Sequence, residues 1–163
     1  MKTRFKALSI MTLFAMVLSL LPAAATVSSA TAAQSCTDRA QFVADVTVPD
    51  GTRFDPGAAF TKVWQLRNVG TCTWTTSYSL VFDTGEKMGA TASSNFANNI
   101  APGQIIDITV NMTAPGAAGH YIGYWKFKNA SGALFGIGVN ANKAWWVEIN
   151  VVGSSTTNVA YDF

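Results

Sequence analysis

The sequence predicts an all-β sandwich, and three observations carry that prediction. Beyond an N-terminal leader, no stretch keeps a helical period for more than a turn or two. Several short stretches alternate apolar and polar residues with the period of two that marks half-buried strands. Turns bearing Pro and Gly punctuate them: Pro49-Asp50-Gly51-Thr52, Asp55-Pro56-Gly57, Ala101-Pro102-Gly103 and Ala114-Pro115-Gly116. About seven short strands separated in this way pack as two sheets.

The leader comes first. Lys2, Arg4 and Lys6 precede the apolar run Ala7–Leu21, then Pro22 and a stretch of small residues, the three-part layout of a secretory signal peptide. The run is shorter than the ~20 residues that span a bilayer comfortably. Cleavage is expected after Ala33 or Ala32, with an uncleaved anchor as the alternative, so residues 1–33 are assigned to the leader. A lipoprotein is disfavoured, because Cys36 lies far behind Leu21 and Ala33-Gln34-Ser35 is a poor lipidation box. Taking the leader's three basic residues from the chain's 11 leaves eight against 9 acids, so the remainder is near neutral. That argues against a nucleic-acid partner. Cys36 and Cys72 both survive cleavage; in an exported chain a disulfide between them is the default, and two free buried thiols are the alternative.

Gln41–Val48 is β-prone. In Phe60–Asn68, Phe60, Trp64 and Leu66 face one way and Thr61, Gln65 and Arg67 the other. Lys62 falls on the apolar side and is expected near a strand end, its ammonium reaching water. Asn68–Thr71 is a turn leading to Cys72 and Trp74. Tyr78–Asp83 is the next strand. Thr84–Pro102 lacks a period and predicts a long surface loop, either a variable connector or a binding loop, with a short strand near Phe96. Ile105–Met112 is the clearest amphipathic strand, followed by Tyr121–Lys128, a glycine-interrupted Leu134–Val139, and Trp145–Val152. The domain is therefore placed at 34–152, with a polar tail over 153–163.

Catalysis is not expected. His120 is the only histidine and opens a strand; no G-x-S-x-G elbow is present, and His and Cys are too few for a zinc site. Asp83, Glu86 and Asp107 read as scattered surface acids rather than a glycosidase pair, and Asp45, Asp50 and Asp55 lack a Ca²⁺-binding frame. No cofactor is implied.

The stretch Phe60–Trp74, F-x-K-x-W-x-L-x-N-x-G-x-C-x-W, resembles the FW (four-tryptophan) domain, an immunoglobulin-like module of selective-autophagy cargo receptors that also occurs in secreted bacterial proteins. The resemblance extends from about Cys36 to Val152. Its name-giving tryptophans correspond to Trp64, Trp74, Trp125 and Trp145; Gly119-x-Tyr121-x-Gly123-x-Trp125 and Leu134-Phe135-Gly136 are similar to further family elements. The opening Phe42–Thr52 and the pairing of Cys36 with Cys72 look most like the secreted bacterial versions. The resemblance implies an immunoglobulin-like antiparallel β-sandwich of about seven to nine strands that binds a protein and does no chemistry.

The four signature tryptophans lie on or beside apolar strand faces and are expected in the core. Trp146 faces away from Trp145, and with Tyr124 on its strand's outer face it is the candidate exposed binding patch. The expected function is thus a secreted, bacterial, non-catalytic module binding a protein at or outside the cell surface, with membrane contact only during export. A carbohydrate-binding module that stacks polysaccharide on exposed aromatics is the alternative.

Overall fold

A computed structural model describes residues 35–153. The leader over 1–33 and all but the first residue of the tail over 153–163 lie outside the described residues. Nine strands form in chain order: β1 (Ala40–Asp45), β2 (Thr52–Phe54), β3 (Ala59–Asn68), β4 (Ser79–Gly85), β5 (Ser93–Asn95), β6 (Ile105–Thr113), β7 (Gly119–Lys128), β8 (Leu134–Phe135) and β9 (Trp145–Val151). They make two sheets, one ordered β1-β3-β6 and the other β2-β9-β7-β4-β5, with β8 also paired to β7. All pairings are antiparallel except that of β2 with β9, which is parallel. The fold is the immunoglobulin-like β-sandwich.

The alternation read from the sequence becomes the sandwich interior. On β3, Trp64 and Leu66 are fully buried, and on β6 Ile108, Val110 and Met112 join them; from the other sheet come Trp125, Phe127, Trp145, Val147 and Ile149. Trp64 stitches the layers, with ring centroids 5.9 Å from Trp125 and 6.5 Å from Trp145. Aromatic contact continues through Phe127, 4.6 Å from Trp145, to Trp74, 5.1 Å from Phe127. Each buried ring removes ~150–250 Å² from water, or about 4–6 kcal/mol at ~25 cal/mol/Å². The indole N–H groups of Trp74, Trp125 and Trp145 have no acceptor among the described residues. An unpaired buried donor costs about 1–3 kcal/mol, so ring burial outweighs it.

Three local expectations are corrected. Lys62 does not reach water: it sits mid-strand opposite Val110, 0% exposed, with its ammonium donating to the Asp45 carboxylate and, at 2.6 Å, to the Val48 carbonyl. Partners on the neighbouring strand and connector make burial tolerable where the sequence showed a lone cation. The stretch 84–102 is a surface loop only in part: most of it is exposed and Ser93–Asn95 form the short strand expected near Phe96, but four side chains turn inward. Met88, Ala90, Phe96 and Ile100 are buried in the core, and Ile100 exchanges two backbone bonds with Trp74. Apolar plugs on irregular chain leave no period to detect. Finally, the strand expected over Leu134–Val139 ends at Phe135, because Gly136 turns to accept the close approach of Lys143, whose carbonyl would lie 2.0 Å from a Cβ at Gly136.

Cys36 and Cys72 are joined by a disulfide with Cα atoms 4.9 Å apart, at a sequence separation of 36. Thr37 reinforces this staple, its carbonyl accepting from Thr71 N–H (2.8 Å) and Cys72 N–H (3.1 Å).

Candidate functional site

The register of β7 with β9 sets the site. Trp125 faces Trp145 across the ladder, and one step along Tyr124 faces Trp146. Successive side chains on a strand point to opposite faces, so the first pair enters the core and the second lies on the outer surface. Trp145 is 1% exposed and Trp146 is 40% exposed; Tyr124 is half-buried. The two residues of the candidate patch are thus cross-strand neighbours.

Trp146 is held at both ends. Its backbone carbonyl accepts a 2.7 Å bond from the indole N–H of Trp64, which reaches out of the core. Its own indole N–H donates to Asp50 Oδ2 at 3.0 Å. Asp50 belongs to the turn Pro49–Thr52, closed by a bond from Thr52 N–H to the Pro49 carbonyl and tied to β9 by Gly51 N–H donating to the Glu148 carbonyl, both 3.1 Å. Gly51 holds φ +78°, which its lack of a Cβ permits. Immediately before the turn, Val48 holds φ +52°, costly for a β-branched residue. Lys62 clamps its carbonyl there. A buried ammonium therefore aims the turn that orients an exposed tryptophan.

Between these parts lies a cleft of about 110 Å³, lined by Phe42, Asp45, Asp50, Ile137, Trp145 and Trp146. Phe42 is 38% exposed, so aromatic groups from β1 and β9 flank an opening between the two sheets. The volume suits one side chain of a partner, with Asp45 and Asp50 as polar edges. Phe42, Ile137 and Asp50 were not singled out as binding residues from the sequence. Phe42 and Asp50 lie far from Trp146 along the chain, Ile137 sits in the irregular stretch between β8 and β9, and a bulge between Phe42 and Ala44 disturbs the alternation that would have assigned β1 a face.

The other singled-out residues lie elsewhere. Trp64, Trp74, Trp125 and Trp145 are buried in the core, and Cys36 and Cys72 form the staple. His120 is exposed and lies 2.9 Å from Glu148 Oε1. Asp83 pairs with Lys126 at 3.1 Å, Glu86 accepts from Met88 N–H, and Asp107 accepts from Gln65. Among the described residues no group of three or more His, Cys, Asp or Glu is placed to hold a metal. Tyr78 donates to Asp38 at 3.0 Å; burial first, then that hydrogen bond and the nearby charge, push its pKa up to about 12.

Comparison with known proteins gives the relationships. The sequence profile of the Ig-like domain from next to BRCA1 gene matches residues 47–151. Protein JOKA2 of Solanum tuberosum is 37% identical over 114 residues, covering 68% of this chain and 12% of that protein. The NBR1 homolog of Arabidopsis thaliana is 33% identical over 126 residues, 76% of this chain and 17% of that one. The Next to BRCA1 gene 1 protein of Mus musculus is 33% identical over 101 residues, 60% and 10% respectively. The chain thus spans less than a fifth of each of these relatives.

These relatives are plant and animal proteins, and they overturn the expectations of a bacterial source and of a secreted, extracytoplasmic module. The secreted expectation rested on the layout of the leader, which lies outside the described residues, and the bacterial one on the likeness of Phe42–Thr52 and of the Cys36–Cys72 pairing to secreted bacterial versions; neither is retained, nor is the carbohydrate-binding alternative that accompanied them. What the matched span, the two-sheet architecture and the buried tryptophans establish together is membership: the chain belongs to the family of the Ig-like domain from next to BRCA1 gene, the FW domains.

Proposed function

We propose that the domain is a non-catalytic protein-binding module whose contact face is centred on Trp146. The observation that carries this is the exposed, pre-oriented indole beside an apolar cleft, with 40% of Trp146 accessible while its N–H is fixed by Asp50. A large aromatic anchored in one rotamer loses little freedom on binding, and such residues dominate protein interfaces. Phe42 and Tyr124 extend the apolar contact, and the cleft accepts an apolar side chain of the partner. The absence of catalysis is supported by the engagement of Asp83, Glu86 and Asp107 in separate structural contacts.

The test is affinity capture by the full chain, immobilised as wild type and as Trp146→Ala, with melting temperature measured in parallel. Trp146 contributes little to the core, so the variant is expected to lose no more than about 1 kcal/mol of stability. Captured proteins are expected to fall at least tenfold, the cost of about 1.4 kcal/mol at a central aromatic. Equal capture by a folded Trp146→Ala chain would remove this face from consideration.

A further inference from the structure

A second surface, remote from the cleft, has its own logic. The two edges of the six-stranded sheet are β2 and β5, three residues each. In the other sheet, β1 is interrupted by its bulge and gives its first N–H to the Gly136 carbonyl. The remaining edge, β6, runs nine residues, pairs with β3 without a register shift, and has no strand on its other side among the described residues. Long regular edges are templates for pairing, and proteins ordinarily interrupt them.

The open groups on β6 are identifiable. Antiparallel ladders alternate between residues that bond the neighbour and residues that point away. Asn68 N–H bonds the Gln104 carbonyl at 2.9 Å, so the even-numbered residues bond β3 and the odd-numbered ones turn outward. The ladder's other end agrees: Thr113 N–H leaves the sheet and bonds the Met88 carbonyl at 2.7 Å. Asp107, Thr109 and Asn111 therefore present their backbone N–H and C=O groups outward, with no backbone partner among the described residues. Open grooves flank the edge, one of about 510 Å³ beside Ile105–Thr109 and one of about 480 Å³ beside Asn111–Thr113.

We propose that β6 pairs edge to edge with β6 of a second copy of this chain, antiparallel and centred on Thr109. In that register Thr109 opposes Thr109 of the second copy, and Asp107 opposes Asn111. Each opposed pair exchanges two backbone bonds. The side chains favour this register over its neighbours. Gln65 Nε2 already donates to Asp107 Oδ1 at 3.1 Å, leaving Oδ2 as a free acceptor. Thr61 Oγ1 donates to Asn111 Oδ1 at 2.9 Å, leaving the amide Nδ2 as a free donor. The centred register brings free donor to free acceptor, twice by symmetry, and joins two three-stranded sheets into one. Slipping the centre to Asp107 would set carboxylate against carboxylate.

Sedimentation velocity on the full chain over a concentration series tests this. Wild type is expected to show a monomer–dimer equilibrium. Asn111→Asp creates two like-charge pairs in the dimer and is expected to weaken association about tenfold. The double variant Asp107→Asn/Asn111→Asp exchanges donor and acceptor and is expected to restore it. A chain that stays monomeric to about 1 mM overturns the proposal. So does a dimer indifferent to Asn111→Asp, or a folded double variant that fails to recover.

Discussion

Lys62 shows how far a single residue can be read. Alternation put it on the apolar face of its strand, and there it lies, but its fate depended on Asp45 and Val48, seventeen and fourteen residues away. Nothing local announces that pairing. Asp45→Ala would leave a fully buried ammonium with one carbonyl and is expected to cost about 3–5 kcal/mol in urea unfolding. Lys62→Met, which removes the charge and keeps the volume, should cost clearly less. Equal losses would mean that packing, not charge pairing, holds the position. Tyr78 makes a second prediction. Its folded-state pKa of about 12 exceeds the ordinary 10.0. The folded chain thus keeps a proton that the unfolded chain gives up. This stabilisation is complete below pH 10 and is lost as pH rises toward 12, so the melting temperature should fall across that window. Tyr78→Phe should flatten the fall; an unchanged slope would assign it to another group.

At the scale of elements, the strands with strict alternation were legible to within a residue or two. Phe60–Asn68 is β3 less its first residue, and Trp145–Val152 is β9 with one residue too many. The core role of Met88, Ala90, Phe96 and Ile100 was not legible, since irregular chain carries no period. Gly123 explains part of that region's course. The chain leaving β4 crosses β7 there, with Glu86 N–H bonded to the Ile122 carbonyl at 2.8 Å. A Cβ at Gly123 would stand 2.2 Å from the Glu86 carbonyl oxygen, backbone that cannot swing aside. Gly123→Ala is therefore expected to cost more than ~2 kcal/mol in chemical denaturation. Gly116→Ala, at a position with open space around it, should stay within about 0.5 kcal/mol. Similar values for both would show that the crossing adapts.

For the whole molecule, periodicity gave each strand a face but not its neighbour. The sandwich followed from the number of strands and the family resemblance, whereas the cleft did not, because it draws on β1, the turn at Asp50, Ile137 and β9. Those parts meet through long-range contacts: the parallel pairing of β2 with β9, the bond from Trp146 to Asp50, and the bond from Ala40 N–H to the Gly136 carbonyl. The disulfide constrains the whole from one end. Closing a loop of that size is worth about 3–4 kcal/mol in the chain-entropy account, so reduction should lower unfolding free energy by that order, and no loss would show that the pairing of β1 with β3 already holds the segment. The same bridge also redirects mechanical tension. In a chain stretched from its ends, force would pass from Cys36 directly to Cys72, and β1, β2 and β3 would hang outside the loaded path. The shielded stretch, at a separation of 36 residues, stores about 120–130 Å of contour that rupture releases only after reduction. Phe42 and Asp50 lie on the shielded side and Trp146 on the loaded one, so pulling would draw the cleft apart along the seam between β2 and β9.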